Sequence, residues 1–196
     1  MELFPCTVLD ESLDISDEYN AKLHKHILEI TPKSPRAFAC DTTFWTTNLV
    51  DDPLFDELKA KIVKTSEKYG VNKRFVVDQM WASVTRYGCY HGVHSHGSHP
   101  LCGVYYVRVP EHPDGYHLRF LNDKWTLRAN EVDVPIRTKQ MLMFEGWVLH
   151  GYAPNQSYDP KVSVAFNLRI VSDNSFDAAA DNGSVTPEST VPLKSL

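Results

Sequence analysis

Two histidines two residues apart, His94 and His96, restrict what this chain can fold into more than any other feature. They sit in HGVHSHGSHP, and six of the nine histidines lie between His91 and His117. In an extended strand, residues i and i+2 share a face, so both imidazoles point into whatever that strand encloses. Two imidazoles are half a metal site. A non-haem metal centre takes its third ligand from a neighbouring strand and leaves other positions open. His150 ends the apolar segment WVLH far downstream, and only a folded sheet closes such a gap. Surface or hydrogen-bonded core histidines are the plain alternative for an isolated His-x-His; the late strand-end histidine and a basic residue beyond it favour metal. In an unbroken strand His91 faces the other side, and His99 follows a turn at Gly97. His112 and His117 read as surface residues.

The rest of the chain is compatible with such a sheet. Ser16 caps a helix over about 17–30, with Tyr19, Leu23, Ile27 and Ile30 on one face. Asp52 and Pro53 open a second helix with the stripe Leu54, Leu58 and Ile62, closed by Gly70 in a left-handed cap. A short helix or turn follows around 72–80. From Trp81 the period is that of strands: 81–87, 91–96, 102–109, 116–121, 140–144, 147–151 and 161–170, separated by Gly, Pro and Asn turns. Helices first and short strands after imply an antiparallel sandwich or barrel backed by a helical layer. Residues 1–171 are read as one domain and 172–196 as a polar, mobile tail.

In KVSVAFNLRI, Val162, Val164 and Phe166 share one face and pack as core, whereas Lys161, Ser163 and Ala165 share the other. A cation and a hydroxyl in a narrow pocket can hold a carboxylate. By itself such a lysine is a solvated strand end; it gains weight by following His150 by eleven residues.

Charge and composition exclude several functions. The 196-residue chain carries a formal charge of -5 without a basic block, against a nucleic-acid partner. No apolar run reaches the roughly 18 residues of a membrane span, and the first residues lack the pattern of a secretory leader. Cys6, Cys40, Cys89 and Cys102 form no Cys-x-x-Cys pair and are read as free thiols of a cytoplasmic protein.

Gly88, then His94-x-His96, CGVYYVRVP, GYHLRF, MLMFEGWVLHGYAPN and KVSVAFN follow one another in an order that resembles a group of 2-oxoglutarate/iron(II) oxygenases from bacteria and phages, distant relatives of prolyl hydroxylases. The resemblance spans roughly 81–168. It implies a mainly β double-stranded β-helix (jelly-roll, cupin-like) with N-terminal helices, Fe(II) and 2-oxoglutarate as cofactors, and O2 as co-reactant. The reaction it implies is hydroxylation of a peptide, protein side chain or small metabolite, releasing succinate and CO2. His94, His96 and His150 take the metal-binding and catalytic positions, Lys161 and Ser163 those that hold the far carboxylate of 2-oxoglutarate. Tyr87 and Tyr105 match pocket positions of the cosubstrate site. His99, Tyr106 and Trp147 are candidates for the substrate mouth, and a homodimer is compatible with the pattern. The chain departs from the family pattern at four places: His96 stands for an aspartate, Lys161 for an arginine, Cys102 for a serine and Gly97 for a proline.

Two rival readings stay open on sequence. Gly88 to His96 also fits the first motif of a cupin-type three-histidine metalloenzyme that does not use 2-oxoglutarate, although the glutamate of that motif is missing at Pro100–Leu101. A non-catalytic jelly-roll binding protein is the other; iron(II) binding separates it from both enzymes.

Overall fold

A computed structural model describes residues 6–36, 39–70, 73–121 and 131–171. The tail expected to be mobile, 172–196, lies outside the described residues. Ten strands form two antiparallel sheets, with the helices against the larger one. The strands are β1 (Leu9–Ser12), β2 (Asp41–Thr42), β3 (Arg74–Thr85), β4 (His91–His94), β5 (Leu101–Arg108), β6 (Tyr116–Leu121), β7 (Glu131–Ile136), β8 (Gln140–Phe144), β9 (Leu149–Tyr152) and β10 (Lys161–Val171). The six-stranded sheet runs β1-β8-β5-β10-β3-β2 and the four-stranded sheet β4-β9-β6-β7. None of the described helices is long and apolar enough to cross a membrane.

Helix α1 (Asp17–Ile30) begins where the Ser16 hydroxyl accepts a hydrogen bond from Tyr19 N, satisfying an otherwise orphaned donor. Its Leu23 and Ile27 are fully buried, each burial contributing about 1.5–3 kcal/mol. Helix α2 (Asp56–Ser66) is preceded by a 3-10 turn, Pro53–Phe55, which Asp52 caps through Leu54 N. The left-handed cap expected at Gly70 is not there: another 3-10 turn, Glu67–Tyr69, ends the helix and Gly70 leaves with φ 174, which is extended backbone.

The two faces of the six-stranded sheet have different tasks. Leu101, Tyr105, Met141, Met143, Val162 and Phe166 pack outward with Leu23, Ile27, Leu58 and Ile62. Cys102, Val104, Tyr106, Leu142 and Phe144 point inward and pack on Leu118, Phe120 and Ile136 of the smaller sheet. Where β3 and β10 lie side by side, the inward positions are instead mostly polar: Thr85 faces Lys161, Ser83 faces Ser163 and Gln79 faces Asn167, with Trp81 facing Ala165 between them. Burial therefore leaves a polar strip inside the sandwich. At Gly103 an added Cβ would lie 2.5 Å from both the Leu142 carbonyl oxygen and the Phe166 ring, so only glycine lets β5 and its neighbours approach this closely.

One further expectation fails and one strand goes unforeseen, each for an identifiable reason. Residues 74–80 are not helix or turn but the first half of β3. A register shift opposite Asn167/Leu168 skips Asp78 and breaks the alternation that would have marked a strand. β7 carries Pro135, a poor strand residue, but lies at a sheet edge where the missing N–H leaves no ladder bond unmade.

Candidate metal centre and anion pocket

His94 and His150 lie directly opposite each other on β4 and β9, with ring centroids 4.3 Å apart. His96 joins them from just beyond the end of β4, its centroid 5.4 Å from His94 and 5.2 Å from His150. Strand alternation does not carry it there. The backbone N–H of His96 donates to Gly146 O at 2.7 Å, which ties the loop after β4 to the loop between β8 and β9, and Trp81 stacks on its ring at 5.6 Å. Ligand-capable atoms of the three residues all lie within 4.8 Å of one another.

Each ring has its Nδ1 engaged. His94 Nδ1 is 2.9 Å from Gly92 O, His150 Nδ1 2.9 Å from Val148 O and His96 Nδ1 2.5 Å from Asn167 Oδ1. Oxygens of this kind only accept, so Nδ1 carries the proton and Nε2 keeps the lone pair. Asn167 is aimed in turn by donating Nδ2–H to Gln79 Oε1 at 2.8 Å. Burial, followed by the charge of neighbouring histidines, pushes His150 down to about 3. Burial is also the main reason His96 falls to about 4, against a raising effect from Asn167. At neutral pH these two rings are uncharged. Three imidazoles with oriented Nε2 lone pairs fit a divalent first-row metal.

Lys161 lies on the same inner face and is only 2 % exposed. Its Nζ sits 3.2 Å from the centroid of the Tyr152 ring. Among the described residues no carboxylate or other hydrogen-bond acceptor engages it, and burial pushes its ammonium down to about 7. Ser163, 5 % exposed, is the next inward residue of β10. An unpaired buried cation beside a hydroxyl fits a carboxylate ligand.

The other sequence candidates separate. Tyr105 is corrected: it points away from the strip, into the core below α1, where its hydroxyl donates to Asn20 Oδ1 at 2.8 Å. The period of β5 gives the inward place to Tyr106, which is buried with its hydroxyl 2.6 Å from that of Tyr152; it is floor, not mouth. Tyr87 is 56 % exposed and stacks on Tyr158 at 4.7 Å, outside the strip. Trp147 is half exposed beside Gly146. His99 accepts the Gly146 N–H at 3.2 Å through its carbonyl, so both residues stand by the loops that carry His96.

Sequence reasoning missed Asn167, Gln79, Trp81 and Tyr152, and it placed His91 on the other face, as a structural or substrate-side residue. Asn167 follows Lys161, Ser163 and Ala165 at period two, and Tyr152 follows His150 in the same way, so that signal was present. His91 had none: a register shift between His91 and His94 turns it to the inner side, stacked on His94 at 4.3 Å.

Residues 79–167 match the family described as "Putative 2OG-Fe(II) oxygenase". No curated protein matches the chain by sequence. Among solved structures, HygX from Streptomyces hygroscopicus with nickel and 2-oxoglutarate bound is 11 % identical, covering 82 % of this chain and 81 % of its own, with a TM-score of 0.62. The epimerase SnoN from nogalamycin biosynthesis is 10 % identical, covering 96 % and 91 %, with a TM-score of 0.65. A Pseudomonas putida prolyl-4-hydroxylase is 12 % identical, covering 83 % and 92 %, with a TM-score of 0.61. At these identities the likeness is one of fold, and that fold is the double-stranded β-helix. With the family match over β3 to β10 and three imidazoles gathered inside that fold, residues 79–167 are those of a 2-oxoglutarate/iron(II)-dependent oxygenase, an enzyme that uses Fe(II) and 2-oxoglutarate.

Proposed function

We propose that this enzyme hydroxylates a C–H bond of a small molecule or peptide side chain, consuming O2 and 2-oxoglutarate and forming succinate and CO2. The observation that carries the reading is a buried, unpaired Lys161 ammonium on the sheet face toward which His94, His96 and His150 converge. In this reading the three histidines hold the metal through Nε2. Their Nδ1–H groups stay on Gly92, Val148 and Asn167, which fixes ring orientation and tautomer. Lys161 supplies charge, and Ser163 a second donor, for the distal carboxylate of 2-oxoglutarate. Tyr106, Phe144 and Val148 exclude water from behind the site. Bound iron(II) and 2-oxoglutarate together supply the oxygen activation, while the protein supplies position, charge and dryness.

The same superfamily fold serves the prolyl-4-hydroxylase, the epimerase SnoN and the carbocyclase SnoK, so oxygen insertion is a claim about this chain that needs its own test. Anaerobic titration of 2-oxoglutarate into the iron(II) protein should raise the visible metal-to-ligand charge-transfer band. Lys161→Ala should weaken that titration by roughly ten- to a hundredfold, the equivalent of about 1.5–3 kcal/mol for a charged hydrogen bond. It should leave iron stoichiometry intact. No band in iron-loaded protein at millimolar 2-oxoglutarate would refute the reading in favour of a cupin-type three-histidine enzyme. Product formed under 18O2 should carry one labelled oxygen; unlabelled product would replace hydroxylation by another oxidative outcome.

A further inference from the structure

His91 stands three residues before His94, yet both rings reach the inner face. Their partners on β9, Tyr152 and His150, are only two residues apart, and Tyr152 packs inward with its hydroxyl 2.6 Å from that of Tyr106. The extra residue on β4 makes a β-bulge, a device that re-aims a side chain. Glycine at 151 leaves room for it: a Cβ there would lie 3.0 Å from His91 O and 3.2 Å from Val93 N. The His91 ring consequently lies 4.3 Å from the His94 ring and 18° from parallel to it. On the opposite strand its partner Tyr152 carries Lys161 Nζ, 3.2 Å from the ring centroid. His91 thus meets the metal ligands through His94 and neighbours the buried ammonium through Tyr152.

The four rings differ in how their nitrogens are used. His94, His96 and His150 each commit Nδ1 to a protein oxygen, the arrangement that orients metal ligands. His91 is outside the group whose ligand atoms converge, and among the described residues neither of its ring nitrogens has a hydrogen-bond partner. An imidazole keeps one N–H donor when neutral and two when charged. Placed beside an ammonium without a partner, that unspent donor suits an anion.

We propose that His91 is a cosubstrate-binding residue, whose ring N–H donates to a carboxylate oxygen of 2-oxoglutarate held between the metal and Lys161. The proposal rests on the reading of Lys161 as the anchor of the distal carboxylate. A dicarboxylate that is chelated at the three histidines and reaches Lys161 passes the inner row formed by His91 and Tyr152. Tyr152 offers it a ring face, since its hydroxyl is engaged with Tyr106; the free donor on that row belongs to His91. Stacking on His94 holds this donor in place before the ligand arrives, which lowers the cost of binding.

His91→Phe keeps a ring that can stack on His94 and removes the donor, whereas His91→Gln keeps an N–H donor at similar reach and removes the ring. Two readouts apply to each. Competition with a chelator, without 2-oxoglutarate, measures iron(II) affinity. Anaerobic titration of the iron(II) protein with 2-oxoglutarate, followed by the charge-transfer band, measures cosubstrate affinity. His91→Phe should bind iron(II) within about twofold of wild type but 2-oxoglutarate about tenfold or more weakly, because a hydrogen bond to a charged oxygen is lost. His91→Gln should recover part of that cosubstrate loss. Wild-type cosubstrate affinity in His91→Phe would overturn the proposal, as would a glutamine variant no better than the phenylalanine one. A phenylalanine variant that loses iron in step with cosubstrate also sinks it, since His91 would then act by supporting His94. These failures leave the Lys161 reading standing; absence of the band in wild-type iron(II) protein removes both.

Discussion

Lys161→Met should stabilise the metal-free, cosubstrate-free protein, by an amount that shrinks as pH rises. Burial pushes the Lys161 ammonium from its ordinary value of 10.5 down to about 7. Between those values the unfolded chain holds a proton that the folded chain has released, so wild-type stability rises with pH through that window. Below about pH 7 the full penalty of burying the charge is present; above about 10.5 it is gone. The slope is about 1.4 kcal/mol per pH unit and the whole effect on the order of 5 kcal/mol. Methionine has similar length, no charge at any pH, and a thioether that packs well on a ring such as that of Tyr152. Its advantage over wild type should be about 3 kcal/mol at pH 8, about 2 at pH 9 and under about 1 at pH 10. The histidines His91, His96 and His150 are pushed below about pH 5 and do not intrude. Urea unfolding at each pH, compared at a shared denaturant slope, measures the difference. A pH-independent difference, or a variant less stable throughout, would refute the description of Lys161 as a buried cation without a partner.

The remaining expectations concern the histidines and their supports. His94→Ala and His150→Ala should each nearly abolish iron(II) binding in a folded protein, and His96→Asp should be tolerated because a carboxylate is an ordinary third ligand; native iron stoichiometry in either alanine variant excludes that ligand. Asn167→Leu removes the acceptor of His96 Nδ1–H and should weaken iron(II) by about 10–100-fold, measured by competition with a chelator; unchanged affinity would make Asn167 a packing residue. Tyr105→Phe should cost about 0.5–1.5 kcal/mol by removing a hydrogen bond to Asn20 and leave 2-oxoglutarate affinity untouched. A cosubstrate defect there would return Tyr105 to the site.

Local chemistry made much of the scaffold legible. Ser16 and Asp52 announced helix starts because short polar side chains satisfy free N–H groups wherever they stand. Period two in KVSVAFN separated a core face from a site face because a strand obeys that period whatever surrounds it. Pairing errors were different in kind. The skipped Asp78 and the shift between His91 and His94 depend on what lies on the next strand, so the start of β3 and the orientation of His91 were invisible from the chain alone. Edge position likewise excused Pro135.

The sequence by itself determined which groups the candidate site can draw on: three histidines in two distant segments, a lysine and a serine on one strand face, and enough short strands to enclose them. Tertiary structure alone decided how these groups work together. A loop-to-loop bond through Gly146, with Trp81 stacked beside it, brings His96 to the other two rings. Asn167, brought across from β10, chooses the His96 tautomer, whereas the carbonyls that engage His94 and His150 lie two residues upstream of each ring. Burial against Tyr152, with no acid beside it among the described residues, makes Lys161 a buried strand-face residue instead of a solvated strand end. The reason is physical: residue type and local period belong to the chain, whereas burial and the partner of a polar atom belong to whatever segment folding places opposite it.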